Sequence, residues 1–161
     1  MTEMMRRSDP SGSDIDLIDH RIIAVLREDA RMPIGELSKR VGLSKTPCQM
    51  RLKRLVDRGV IRGFRAVVDP VALGLQSVAF TEVKLSDTRE AALEMFRDAV
   101  LRIPEIEECH MLAASFDYLL KVRTTDMRRY RAVLGEEISS LPHVASTSTF
   151  MVMETLRDAT S

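Results

Sequence analysis

This sequence of 161 residues has few cysteines, no cluster of histidines and no long apolar run. Its two cysteines, Cys48 and Cys109, are isolated and too few for a disulfide framework, which is typical of a chain kept in a reducing compartment. No apolar run approaches the roughly 20 residues of a membrane-spanning helix. No apolar stretch follows Arg6 and Arg7, so the start is not a secretory signal. We therefore expect a cytoplasmic protein with no membrane partner.

Residue patterns typical of catalytic and metal sites are also sparse. The histidines are scattered, and the pair Cys109-His110 has no further ligands at a useful spacing. The sequence contains no glycine-rich phosphate loop, no nucleophile elbow and no Ser/His/Asp set that the expected fold would bring together. Glu107 and Glu108 are adjacent on a predicted strand and point to opposite faces, so they are not an acid/base pair. We expect no metal, no cofactor and no enzymatic activity.

Charge is divided unevenly along the chain, although the net charge is zero. Residues 1–65 carry a net charge of +5 and residues 66–161 a net charge of −5. The excess is concentrated in residues 37–65, where Asp57 is the one acid. A local charge of +8 indicates a polyanionic partner for this segment, because a solvated helix face usually mixes both signs. The basic residues are Lys39, Arg40, Lys45, Arg51, Lys53, Arg54, Arg58, Arg62 and Arg65.

The first two helices are predicted from apolar spacing. Residues 1–13 carry Ser, Pro, Gly and charge without an apolar period, which predicts a disordered tail. Asp16 is placed to cap a first helix that ends near Asp29, with Asp19 adding a negative charge to its first turn. A second short helix covers PIGELSKRV and ends at Gly42. The apolar stripes are Ile15, Ile18, Ile22 and Leu26, then Leu37 and Val41.

The third helix has the clearest local signal. Thr46-Pro47-Cys48-Gln49 has the pattern of a capping box with Thr46 as N-cap and proline at the first helical position. Gly59 then ends the helix. Val60-Ile61 and residues 64–68 are predicted to form the strands of a wing. The inward residues are Cys48, Leu52 and Leu55, and the outward ones are Thr46, Gln49, Met50 and Lys53. We therefore expect a winged helix-turn-helix over residues 14–63.

A hinge and a duplicated pattern follow. Asp69-Pro70 and Gly74 mark a hinge within a linker at residues 64–76. From there to residue 157 a strand-helix-strand unit occurs twice, and Pro142 lies 38 residues after Pro104. Two βαβ units in tandem predict a ferredoxin-like βαββαβ domain over residues 77–157, with an antiparallel sheet and both helices on one face. The fold class is therefore α+β. The bare face of the sheet predicts a dimer.

The elements of each unit are predicted in more detail. SVAFTEVKL alternates as a strand, and Asp87-Thr88-Arg89-Glu90 has the pattern of a second capping box. In the second unit the strand YLLKV precedes a cap at Thr125 or Asp126, and the final strand runs to about Glu154. The residues predicted to be buried are Ala92, Met95, Phe96 and Ala99 in the first helix and Met127, Tyr130, Leu134 and Ile138 in the second.

A basic, capped third helix that follows a tight turn and precedes a wing predicts binding of double-stranded DNA in the major groove. Residues on its outward face are candidates for contacts with base edges, and the arginines and amide-rich helix starts for contacts with phosphates. Arg51 could instead be a structural ion-pair partner of Asp57 or Asp19. The candidate DNA-binding residues are Ser44, Lys45, Thr46, Pro47, Gln49, Met50, Arg51, Lys53, Arg54 and Arg58, with Arg62 as a further phosphate contact.

Five stretches carry a more specific resemblance: DLIDHRIIAVLREDAR, ELSKRVGLSKTPCQMRLKRL, GVIRGFRAVVDP, ECHMLAASFDYLLKVR and TSTFMVMETL. In order and spacing they resemble the leucine-responsive (Lrp/AsnC, feast/famine) family, most closely its leucine-responsive branch and the activators of proline dehydrogenase genes. The resemblance implies a cytoplasmic bacterial transcriptional regulator built of dimers that assemble into tetramers, octamers or hexadecamers. It also implies an amino-acid effector, bound between dimers near the turn that joins the two βαβ units.

That turn corresponds here to residues 112–118. The resemblance implies effector contacts near this turn. It also implies a part in the response to the effector for four positions that match the leucine-responsive branch: Met111, Asp117, Met127 and Phe150. Asp117 could pair with the ammonium group of the effector, or could be a turn residue that caps a strand. Ala114 departs from the family, which usually has glycine there, and an alanine would penalise a positive φ. The candidate effector residues are Met111, Leu112, Ala114, Ser115, Phe116, Asp117, Met127 and Phe150.

Two other functions use the same architecture. A nucleoid-type protein that bends DNA with little sequence preference needs the same parts, and the sequence leaves that alternative open. Decarboxylases of haem precursors resemble the two-domain plan, but such an enzyme should have lost the basic third helix and gained clustered His, Tyr or Arg in its second domain. This chain retains the basic helix and has two tyrosines, Tyr118 and Tyr130. We therefore expect a regulator.

Overall fold

The computed structural model describes residues 15–157, which divide into two compact units, one ending at Ala66 and the other beginning at Val67. The predicted tail, residues 1–13, lies outside the described residues, as does residue 14 at the predicted start of the helical domain. Within residues 15–157 no helix has the length and apolar character needed to cross a membrane.

The first unit contains three helices, α1 (Leu17–Glu28), α2 (Ile34–Val41) and α3 (Lys45–Asp57). The predicted cap of α1 is confirmed: the Asp16 carboxylate accepts the backbone N–H groups of Ile18 and Asp19, both at 2.9 Å. The Asp19 carboxylate accepts the Asp16 N–H in return, which completes a capping box. The predicted end of α2 is also confirmed, because Gly42 adopts a left-handed φ of 76°. The core of this unit consists of Ile22, Leu26, Met32, Leu37, Val41, Cys48 and Leu55.

The start of α3 differs from the prediction. The helix begins at Lys45 with Ser44 as its N-cap, so the capping box centred on Thr46 is wrong. Pro47 lies in the third helical position rather than the first. Proline fits there because the first four amides of a helix have no partner within it, so the missing N–H leaves no carbonyl unsatisfied. The inward residues are as predicted: Cys48 and Leu55 are buried and Leu52 is half-buried.

The predicted wing strands at residues 60–61 and 64–68 are also wrong. None of the described residues 58–76 lies in a β-strand. The Ile61 N–H donates to the Leu55 carbonyl at 3.0 Å, which ties the end of α3 to the segment that follows. Phe64 beyond it is 52% exposed. Alternating apolar residues show strand propensity, but a strand forms only where a partner accepts its hydrogen bonds.

The second unit contains a four-stranded antiparallel sheet in the order β2-β3-β1-β4. The strands are β1 (Ser77–Leu85), β2 (Ile106–Met111), β3 (Tyr118–Thr124) and β4 (Val144–Met151). The strand predicted from SVAFTEVKL coincides with β1, whereas β4 ends at Met151, before the predicted Glu154. The helices are α4 (Glu90–Val100) and α5 (Met127–Ala132), which continues as a π-helix over Val133–Ile138. This topology confirms the ferredoxin-like α+β prediction.

Both helices of this unit contribute to one core on one face of the sheet. Phe96 of α4 is fully buried against Tyr118 of β3, with ring centroids 4.5 Å apart. Between helix and sheet, the Tyr130 hydroxyl hydrogen-bonds those of Thr81 at 2.9 Å and Thr149 at 2.6 Å. The cluster includes Ala79, Val83, Leu85, Leu93, Phe96, Val100, Leu120, Val122, Tyr130, Val133 and Ile138.

Two methionines predicted to be buried are not. Met95 is 53% exposed and Met127 is 47% exposed. Met127 is the first residue of α5, and the buried positions follow it: Tyr130 in α5, then Val133 and Ile138, which are five residues apart in the π-helical turn. In α4 the buried residues are Ala92, Leu93, Phe96 and Val100, and Met95 lies outside this stripe.

The second predicted capping box is also wrong. Helix α4 has Arg89 as its N-cap, with no side-chain hydrogen bond. The Asp87 carboxylate instead accepts both the backbone N–H of Arg89, at 2.9 Å, and its guanidinium. The predicted cap of α5 is found at Asp126, whose carboxylate accepts the Arg129 N–H at 2.8 Å.

Candidate functional site

The turn between α2 and α3 is tightly closed. Gly42 in the left-handed conformation lets the Leu43 N–H donate to the Ser38 carbonyl at 2.8 Å. The buried Ser38 hydroxyl donates to the Gly35 carbonyl at 3.0 Å. A Cβ built on Gly35 would come within 3.0 Å of Cε of Lys45, so the absence of a side chain there leaves room for the lysine. These contacts fix where α3 begins relative to α2.

The outward face of α3 brings together the predicted DNA-binding residues. Arg51 is half-buried and the other nine candidates are exposed. Met50 is 68% exposed, which is a large exposed fraction for an apolar side chain, and none of the described elements of its unit covers it. Lys53 pairs with Asp57, one turn away on the same helix. The exposed candidates are Ser44, Lys45, Thr46, Pro47, Gln49, Met50, Lys53, Arg54 and Arg58.

Two arginines of α3 are tied to the start of α1. The Asp19 side chain is fully buried, and its two oxygens accept hydrogen bonds from Arg51 at 3.0 Å and Arg54 at 2.6 Å. Arg51 also bonds the exposed Asp16 carboxylate. The Asp19 amide, followed by the Arg51 guanidinium, holds the pKa of Asp16 below its usual value. Of the two acids considered for Arg51 from the sequence, Asp19 is therefore the partner.

The predicted effector turn is fastened to β1. The Asp117 N–H donates to the Val83 carbonyl at 3.0 Å, and the Asp117 carboxylate accepts the Leu85 N–H at 2.7 Å. The Lys84 ammonium donates to the Ser115 carbonyl at 2.8 Å. The alternative that Asp117 caps a strand is therefore confirmed for one of its oxygens.

The remaining effector candidates lie apart from one another within a single chain. Met111 ends β2 beside the turn, opposite Tyr118. Phe150 is 55% exposed on β4, where it pairs with Phe80. Met127 follows the other end of β3, a seven-residue strand that spans roughly 20 Å. One chain therefore does not assemble all eight candidates around the turn.

Backbone conformation in the turn differs from the expectation for Ala114. Among the described residues His143 is the one non-glycine with a positive φ, at 63°. Ala114 therefore has an ordinary φ, and its side chain imposes no left-handed strain. The difference from the family's glycine consists of one methyl group.

Metal and thiol chemistry find no support in the described part of the chain. Residues 15–157 contain no group of three or more His, Cys, Asp or Glu side chains placed to hold a metal ion. Cys48 is buried and Cys109 is half-buried, and burial raises the pKa of both thiols. A raised pKa keeps a thiol protonated and weakly nucleophilic.

Sequence patterns missed the contacts that fix these sites. The tie between Asp19 and Arg54 spans 35 positions, and that between Asp117 and Leu85 spans 32. One signal was available for the first: Asp16 and Asp19 are three residues apart, as are Arg51 and Arg54. Matched spacings of opposite charge on two helices are compatible with pairing. For the second, the sequence indicated that Asp117 could cap a strand, but no local signal identified Leu85 as its partner.

Comparison with known proteins identifies both units. Residues 15–62 match the family described as winged helix-turn-helix DNA-binding, and residues 78–161 match the Lrp/AsnC ligand binding domain. A proline dehydrogenase transcriptional activator of Rhizobium radiobacter is 64% identical over 145 residues, which cover 90% of this chain and 93% of that protein. The leucine-responsive regulatory protein of Escherichia coli K12 is 43% identical over 148 residues, covering 92% and 90%.

Solved structures support the same family assignment. A transcriptional regulator of Neisseria meningitidis in complex with L-methionine has a TM-score of 0.84 and 33% identity, covering 89% of this chain and 92% of that one. The matching proteins are named as regulators and activators, so the expectation that the chain is not an enzyme is confirmed by its relatives. The chain belongs to the Lrp/AsnC family of transcriptional regulators.

Proposed function

We propose that this protein binds a DNA operator through α3 and changes that binding when an amino acid occupies the turn at residues 112–118. The observation that carries the proposal is the division of α3 into two faces. Cys48 and Leu55 are buried in the core, while the polar and basic side chains other than the half-buried Arg51 are exposed. A basic helix with one exposed face and a fixed start is what entry into the major groove requires.

Contacts with DNA divide into two kinds in this proposal. Lys45, Thr46 and Gln49, in the first turns of α3, contact base edges, because the N-terminal part of a recognition helix reaches deepest into the groove. The long basic side chains farther along, including Arg58, hold phosphates and set the register. Met50 packs against a sugar or a thymine methyl group.

The effector in this proposal is an amino acid with an apolar side chain. Relatives named for leucine response and for proline dehydrogenase activation, and a structural neighbour with L-methionine bound, support this class. One oxygen of Asp117 bonds Leu85, so the other is the candidate partner for the ammonium group. Met111, Met127 and Phe150 are each about half exposed. Met111 supplies apolar surface beside the turn in the same chain, and Met127 and Phe150 supply it from neighbouring copies.

The uncovered face of the sheet supports assembly into dimers. Phe80 and Phe150 pair on β1 and β4 on the face opposite the helices, and no described helix covers them. The same face carries Lys121 with Glu108. We propose that a second copy covers this face to form a dimer, and that dimers assemble further around the effector turn.

The test is operator binding by the full chain in the presence and absence of single amino acids. Fragments selected from genomic DNA should bind at least about a thousandfold more tightly than random duplex at the same salt concentration. An amino acid that raises the thermal unfolding midpoint should also change the affinity or the size of the complex. Equal affinity for selected and random DNA would favour a nucleoid-type protein that bends DNA. Absence of DNA binding would overturn the proposal.

A further inference from the structure

We infer that Asp19 is a positioning residue for DNA binding: its buried carboxylate holds Arg51 and Arg54 as a paired clamp for one backbone phosphate. The inference rests on the proposed function and adds to it how the two arginine side chains are held in position to bind a phosphate. It concerns a residue of α1 that does not itself contact DNA in this account.

Burial divides this group of side chains into an inner and an outer part. The Asp19 side chain is 0% exposed, whereas those of Arg51 and Arg54 are 27% and 44% exposed. The carboxylate therefore lies inside the unit while both guanidinium groups extend from it to the surface. A buried carboxylate needs such partners, because an uncompensated charge in the interior is strongly destabilising.

The two aspartates, Asp16 and Asp19, accept hydrogen bonds from only some of the N–H donors of the guanidinium groups. Each guanidinium has five N–H donors in a planar fork. Arg51 uses its Nη1 atom toward Asp16 and Asp19, and Arg54 uses its Nη2 atom toward Asp19. Donors therefore remain on both side chains. One nitrogen of each guanidinium group is already bonded to an aspartate. Each arginine side chain therefore loses less conformational entropy when a phosphate binds its remaining donors.

A recess lies beside the two arginines on the surface of α3. It has a volume of about 260 Å³ and is lined by Pro47, Met50, Arg51 and Arg54. These positions are three, four and seven residues apart, so they share one face of the helix. An open recess lined by two arginines suits a phosphate group, whose oxygens accept hydrogen bonds from two guanidinium forks.

A purely structural tie between α1 and α3 is the competing explanation, and Asp19→Asn separates the two. The substitution keeps the shape of the side chain and raises the net charge of this unit by one. Added positive charge by itself should strengthen binding to DNA. The positioning account predicts the opposite: affinity for the operator should fall about tenfold or more. The slope of log affinity against log salt should become shallower by about 1.8 for a dimer with one such phosphate per protomer.

Matched variants complete the experiment. Asp57→Asn makes the same charge change on the exposed side of α3 and should bind equally well or more tightly. Ile22→Val, in the core of the same unit, should lower the unfolding midpoint without changing the salt slope. In the Arg54→Gln background, Asp19→Asn should cause a smaller loss than it does in the parent, because the two residues act together. All affinities are measured well below the unfolding midpoint of each variant, checked by circular dichroism.

Parental affinity or tighter binding with an unchanged slope in Asp19→Asn would overturn the inference. A loss of affinity with an unchanged slope would also overturn it, because destabilisation lowers the active fraction without changing the number of phosphates bound. If Asp19→Asn does not fold, Arg54→Gln alone decides, and an unchanged slope again contradicts the inference. Failure of the parent itself to bind DNA would reject the proposed function, which is a separate result.

Discussion

The carboxylate of Asp117 accepts the backbone N–H of Leu85 at 2.7 Å, across 32 positions of the chain. Leu85 is the last residue of β1, and Asp117 immediately precedes β3. The contact therefore fastens the turn between the two βαβ units to the end of β1, an inner strand of the sheet. Any effector bound at the turn acts on a segment that is already anchored.

Substitution of Asp117 should separate this anchoring from the proposed pairing with an ammonium group. Asp117→Ala leaves the Leu85 amide without its acceptor and should lower the free energy of unfolding by about 1–2 kcal/mol. Asp117→Asn retains an acceptor oxygen and should lose less. Both variants should bind the operator as the parent does, yet neither should respond to the amino acid. Chemical denaturation and operator titrations with and without the amino acid measure the two effects.

A normal amino-acid response in Asp117→Asn would show that the charge is not needed. Loss of operator binding in a folded and correctly assembled Asp117→Ala would contradict the separation of the two sites.

Ala114→Gly should affect effector binding through volume and flexibility, since Ala114 does not have a positive φ. Removal of the methyl group should lower the free energy of unfolding by about 0.4–1 kcal/mol, because glycine gives the unfolded chain more freedom. If the methyl group restricts the site, calorimetry should detect tighter effector binding than in the parent. Weaker binding would mean that the methyl group is part of the effector contact.

Unlike Ala114, His143 has a positive φ, 63°, although it carries a side chain. Its carbonyl accepts both the N–H and the hydroxyl of Ser86, at 2.7 and 3.1 Å, which holds this conformation. His143→Gly should therefore be more stable than His143→Ala by about 0.5–1 kcal/mol. The alanine variant is the control, because it removes the imidazole and keeps the strain. Equal unfolding midpoints for the two would exclude strain at this position.

The ion pair of Asp87 with Arg89 should be visible in the dependence of stability on pH. The hydrogen bonds from the Arg89 side chain and amide lower the pKa of Asp87 to about 2. A lowered pKa stabilises the folded state above pH 4 and loses this effect as the pH falls toward 2. Asp87→Asn should therefore lose less stability than the parent on acidification over this range. Parallel curves of unfolding midpoint against pH for the two proteins would contradict this.

Local patterns predicted the elements whose causes are local. The cap at Asp16, the stop at Gly42 and the strand from Ser77 to Leu85 follow from residues within one turn or one strand. The two false capping boxes show the limit of such patterns, because Thr46 and Asp87 have the right neighbours but the helices begin elsewhere.

Contacts between distant segments could not be predicted from periodicity. The buried ion pairs of Asp19 depend on how α1 packs against α3. The spacing also predicted neither the exposure of Met127 at the start of α5 nor the π-helix that continues α5. The exposed side of α3 was predicted correctly, since it is the side opposite the buried residues, and its contact with DNA stays a prediction. The effector candidates came from family resemblance, and their convergence requires neighbouring copies.

The central claim, that α3 binds the phosphate backbone and bases of DNA, is tested most directly by the salt dependence of operator affinity. With about six phosphate contacts per dimer, log affinity against log salt should have a slope near −5. Lys53→Ala, on the exposed face of α3, should weaken binding and make the slope shallower by about 0.9 for each phosphate that the variant no longer binds, while the unfolding midpoint stays close to that of the parent. A slope near zero for the parent, or no binding to any genomic fragment, would contradict the account.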